Sequence, residues 1–142
     1  FSSIRLGPQA AVATRYIRAD AAQGESRSHG FFYKPQAQNE GLIGLPILGA
    51  DERSGLNRSS ASVLYLRNSG LTLTELGTLA ARPGPAPDDG CRASCVDWYG
   101  NARPLFLQGR VFALLGYELV EGALREGQIR EVRRISYAPA AR

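Results

Sequence analysis

The chain has 142 residues, 44% of them apolar and 21% charged, ordinary values for a folded protein with its own hydrophobic core. Its 16 glycines and 8 prolines are too much punctuation for long helices and suit many short elements joined by turns. The net charge is +4 with Lys34 the only lysine, but the basic residues are scattered; Arg130, Arg133 and Arg134 form the one dense group, broken by Glu131, so the continuous basic stripe with facing aromatics of a nucleic-acid site is missing.

No apolar run approaches the ~18 residues of a membrane helix. The start, Phe1-Ser2-Ser3-Ile4-Arg5, has no initiator Met and no basic segment leading into an apolar one. The expectation is a processed product or a fragment, associated with the remainder of a longer precursor.

In chain order, Ala10–Arg18 reads as a strand through Val12, Thr14 and Tyr16, against a helical pull from its alanines. Residues 23–28 are a turn. Phe31-Phe32-Tyr33 is a short aromatic strand ended by Pro35. Leu42–Leu48 is a continuous apolar run of the kind a buried strand shows, and Pro46 predicts an edge or an interruption there. Residues 49–60 are polar and include the sequon Asn57-Arg58-Ser59. Val63-Leu64-Tyr65-Leu66 and Leu71–Leu79 flank Asn68-Ser69-Gly70 as a hairpin. Residues 82–90 are loop. Pro104–Leu107 and Val111–Leu115 form a second hairpin around Gln108-Gly109-Arg110. Glu121-Gly122 is read as a further turn, and Ile129–Ile135 as the last strand.

One pattern occurs twice. Leu73-Thr74-Glu75-Leu76-Gly77-Thr78-Leu79 aligns with Ile129-Arg130-Glu131-Val132-Arg133-Arg134-Ile135, with apolar residues at places one, four and seven and Glu at place three. The upstream Val63–Leu66 aligns with Val111–Leu114. A one-four-seven spacing also suits a helix, but the preceding strands, the glycine turns and Thr72, Thr74 and Thr78 favour strands. Units about 50 residues apart match the spacing of β-propeller blades, small antiparallel sheets that bury their faces by stacking.

The stretch from Gly41 to Pro139 resembles the C-terminal blades of secreted bacterial proteins with a β-propeller domain. The resemblance is carried by Val63–Leu66, Leu73–Gly77, Arg110–Gly116 and Ile129–Ile135. It implies an exported scaffold or binding protein and brings no catalytic motif. The expected fold is all-β, antiparallel β-meander repeats forming a partial β-propeller, with a small β-sandwich or barrel as the alternative. Residues 1–60 are a β-rich segment or partial blade; 61–142 are two blade-like hairpin units with a cysteine loop inserted at 82–103, in one continuous domain.

The non-repeating segment Asp88–Asn101 holds both cysteines, the only Trp and three Asp. Cys91 and Cys95, close together in a polar loop, are expected to form a local disulfide and so to mark an oxidising, extracytoplasmic compartment; free thiols and a metal are the alternatives. Trp98, Tyr99, Asp97, Arg92 and Asn101 are the candidate binding residues, since a rigid aromatic loop is a good interface anchor, while the bland reading packs Trp98 over the core. Asp88, Asp89 and Asp97 are a further possible calcium set without regular spacing. No cofactor or metal is expected, and no catalytic residue is assigned: His29 has no nucleophile motif around it, phosphate loops are absent, and no pair stands out among Asp88, Asp89, Asp97, Glu118 and Glu121. The function expected is a non-enzymatic binding or structural subunit that meets protein partners in a larger assembly through 88–101. The rival is a fragment of an extracellular hydrolase, which would show two or more carboxylates lining a pocket near Asp97 or Glu118.

Overall fold

A computed structural model describes residues 1–23, 30–49, 60–82 and 102–138. The described chain is all β, with antiparallel sheets and no barrel closure. A hairpin pairs β1 (Ser2–Arg5) with β2 (Ala11–Arg15). A five-stranded sheet holds β3 (Ala21–Gln23), β4 (Phe32–Ala37), β5 (Glu40–Gly49), β6 (Ser60–Ser69) and β7 (Thr72–Ala80). A four-stranded meander follows, with β8 (Ala102–Leu107), β9 (Arg110–Leu115), β10 (Glu118–Arg125) and β11 (Gln128–Ser136) in the order β11-β10-β9-β8.

Turn chemistry sets these pairings. Gly70-Leu71, Gln108-Gly109 and Glu126-Gly127 each have positive φ at both places, the geometry whose twist matches a tight hairpin. The structure moves some expected boundaries. Glu121-Gly122 is not a turn but the middle of β10, opposite Arg133 and Glu131. Residues 129–135, by contrast, are strand as the sequence predicts, and not the helix that their spacing also allowed. Strand β4 runs through Pro35, tolerated because β4 is at an edge. Strand β5 is not interrupted at Pro46: on one edge β4 pairs with Glu40–Gly44 and β3 with Ile47–Gly49, so the proline falls between those two registers, while on the other edge it stays paired with Val63.

The one-four-seven spacing has a physical cause. In β7 the register runs Tyr65↔Gly77 and then Leu66↔Glu75, leaving Leu76 opposite nothing. In β11 it runs Glu121↔Arg133 and then Gly122↔Glu131, leaving Val132 opposite nothing. Each is a bulge, one extra residue that shifts the alternation by one. In each hairpin four pairs precede it, from Ser62↔Ala80 and from Glu118↔Ser136. The structural counterpart of β6 is therefore β10. Val63–Leu66 corresponds to Leu119–Gly122 and not to Val111–Leu114. The short hairpin β1–β2 has a bulge as well, at Ala13, after two pairs.

The two large sheets pack face to face. Leu42, Val63, Tyr65, Leu76 and Leu79 from the first meet Ala102, Val111, Ala113, Leu115, Val120 and Ile129 from the second. The sheets approach closely at Gly44, where a Cβ would lie 2.4 Å from the Pro104 Cβ, and at Gly122, where it would lie 2.9 Å from Leu79 Cδ1. Tyr65 crosses the interface and donates its hydroxyl to the Phe112 carbonyl at 2.7 Å. On the far face of the first sheet a smaller core of Ile43, Ile47, Leu64 and Leu66 packs with Tyr16, Ala21, Leu45 and Leu73. Burial on both faces explains why β6 reads as a continuous apolar run.

Candidate functional site

The strongest candidate lies where the two sheets meet at the end of β7. Arg134, nearly buried at 9% side-chain exposure, donates Nη1 to Glu118 at 2.7 Å and Nη2 to Glu131 at 2.7 Å, with Nε reaching the other Glu131 oxygen at 3.1 Å. Its Nη2 also reaches the Ala80 carbonyl at 2.9 Å, on the neighbouring sheet. The Arg82 backbone N–H donates to Glu118 at 3.0 Å, and its side chain stands 3.5 Å from Glu131. Arg134 comes from strand β11 and Glu118 from the start of β10; the register sets them near one another because Arg134 pairs with Val120. With Val132, Arg133 and Ser136 these groups line an open hollow of about 500 Å³.

The hollow has the two carboxylates expected of the hydrolase rival, but their chemistry is different. Both are tied to Arg134. The hydrogen bond from Arg134 holds Glu131 below the usual carboxylate range, whereas a general acid needs its carboxyl raised. Glu121, the other β10 carboxylate named from sequence, is taken by a two-pronged contact from Arg110, at 2.7 and 2.6 Å, and is likewise held low. That Arg110 also lies over the Phe112 ring, 4.8 Å from its centroid, a cation–π contact. Among the described residues no three His, Cys, Asp or Glu side chains gather as a metal site, and no helix is long and apolar enough to cross a membrane.

Asp88, Asp89, Cys91, Arg92, Cys95, Asp97, Trp98, Tyr99 and Asn101 lie outside the described residues, as do His29 and Asn57. The residues flanking 83–101 are placed. Arg82 is held by Glu118, and Ala102 shares a row with Leu115 and Glu118 across β8, β9 and β10. Two strand spacings separate Ala102 from Glu118, about 10 Å, so the described residues Arg82 and Ala102 both stand near the hollow.

Sequence reasoning named Glu118 but missed Arg134 and Arg82. A signal was present: Glu occupies place three of both repeat copies. At the earlier junction its counterpart Glu75 accepts from the Tyr16 hydroxyl and from Arg18 Nη1 at 3.0 Å. Partial burial and the Glu75 carboxylate push the Tyr16 phenol up to about 12. Arg18 follows β2 as Arg82 follows β7. Each junction thus pairs an arginine from the unit before with a glutamate from the unit after.

Comparison with known proteins found no match to a family model, a curated protein or a solved structure.

Proposed function

We propose that this chain is a propeller-type β-repeat scaffold, a non-enzymatic binding or structural subunit of a larger extracytoplasmic assembly. The observation that carries the reading is the repeated hairpin, with four pairs, one unpaired residue and a glutamate just before it in both β7 and β11. Such repetition suits sheets that stack on like neighbours. The resemblance to secreted propeller blades points the same way. The partner contact is assigned to 88–101, with Trp98 and Tyr99 as anchors together with Asp97, Arg92 and Asn101.

Two measurements test this. Intact mass should rise by about 2 Da on reduction, the two hydrogens of a cleaved Cys91–Cys95 bridge; an unchanged mass removes the support for an oxidising compartment. Trp98→Ala should lose partners captured from the compartment's extract while keeping the wild-type circular dichroism and melting temperature. If the variant unfolds, Trp98 is core and the contact assignment fails.

The hydrolase reading has one observation in its favour, Glu118 and Glu131 on one hollow. It requires a hydrolytic activity that Glu131→Gln abolishes without loss of fold, and that result would overturn the scaffold reading.

A further inference from the structure

Because the two sheets share one register, their faces can be compared row by row. In the first sheet Pro46, Val63 and Leu79 form a row across β5, β6 and β7. The second sheet covers it, leaving Val63 0% and Leu79 2% exposed. The corresponding row on the second sheet is Leu114, Leu119 and Ile135, across β9, β10 and β11. Here Leu114 and Leu119 are only half-buried, Ile135 is 45% exposed and the unpaired Val132 beside it is 46% exposed. The outer face of β8–β11 is thus the counterpart of a face that, one unit earlier, carries another sheet.

The junction rule says what would cover it. At both built junctions the incoming unit brings a glutamate on its last strand, Glu75 to Arg18 and Glu131 to Arg82. The outer face supplies cations for such a group. Arg103 shares the row of Leu114 and Arg133 that of Phe112. The Arg103 Nε is buried without a hydrogen-bond partner, and Glu121 on the same face is already held by Arg110.

A second copy of this chain fits poorly. The first hairpin of such a copy is β1–β2, where Val12 stands just before the unpaired Ala13, in the place of the glutamate, and Arg5 and Arg15 lie on the same two strands. Nor does an unaltered repeat of β8–β11 fit, because Phe112 stands in the row position of Gly44, the residue whose missing side chain admits Pro104.

We propose, on the strength of the repeat reading above, that the outer face of β8–β11 receives a further antiparallel sheet of the same repeat. That sheet carries a glutamate at the place of Glu131 and a residue smaller than proline at the place of Pro104.

A tandem chain tests this. Residues 83–138 are repeated after residue 138, with Pro104→Gly in the second copy and Cys91→Ser and Cys95→Ser throughout. Val132→Cys in the first copy is the reporter, followed by its alkylation rate. Docking slows alkylation about tenfold or more relative to the same reporter in the single chain, because a covered thiol reacts only when the contact opens. Glu131→Gln in the second copy then restores part of the rate. Equal rates in tandem and single chains overturn the proposal. The single chain with Leu79→Cys keeps the two readings apart: if that thiol labels as fast as the one at 132, the stacked-sheet reading itself is wrong.

Discussion

Leu76 and Val132 hold the same place in two different sheets: each is the residue its strand has in excess of its partner, after four matched pairs. At such a place two successive side chains fall on one side and the alternation beyond is inverted. Leu76 thereby joins the core between the sheets with Leu79, while Leu73 packs on the opposite face. Glu75 and Glu131 are delivered to the side of the preceding unit. One inserted residue thus serves both the stacking and the ion pairs.

The contact of Gly44 with Pro104 predicts intolerance of a single methyl group. Gly44→Ala should cost about 1–3 kcal/mol in urea unfolding, the usual penalty for overpacking. Pro104→Gly in the same chain should recover part of that loss, since residues in contact do not act additively.

Tyr65→Phe removes the buried donor to the Phe112 carbonyl. It should destabilise by about 1–3 kcal/mol, the cost of an orphaned buried acceptor. The ring remains edge-on to Phe106, 6.3 Å between centroids, so near-ultraviolet circular dichroism should change little.

The Arg134 cluster predicts an acid limb. Glu131 is held below its ordinary range in the folded protein, so the unfolded chain binds its proton first as pH falls. Its contribution is present above the unfolded carboxylate range and disappears as pH falls through the lower folded value. Arg134→Ala should cost about 2 kcal/mol at neutral pH, from lost charge-assisted bonds, and should flatten that limb in a series of melting temperatures.

Tyr16 gives the opposite sign. Its phenol is raised to about 12 when folded, so the unfolded chain loses that proton first as pH rises. The contribution is whole below pH ~10, the ordinary tyrosine value, and vanishes as pH passes through about 12. Glu75→Gln should move the Tyr16 midpoint down in an ultraviolet titration, though not fully to the ordinary value, because burial remains.

Much of this fold was legible in the sequence where local chemistry decides it. Glycines at 70, 109 and 127 sit in the tight turns, and the apolar run at 63–66 is the strand buried on both faces. Gly122 misled because its role is not a turn: it lets Leu79 and Ile129 approach, a contact between distant segments with no local signature. The same holds for Arg134, which reads as a solvated cation until the register brings it to Glu118 and Ala80. The binding residues expected at 88–101 gain only the position of their flanks, Arg82 and Ala102.

The repeat itself is tested most directly by cross-strand nuclear Overhauser effects in the two hairpins. The register described here predicts proximity of Tyr65 to Gly77 and of Leu66 to Glu75, with the same step from Glu121–Arg133 to Gly122–Glu131. Continuous pairing, Leu66 opposite Leu76 or Gly122 opposite Val132, would contradict it.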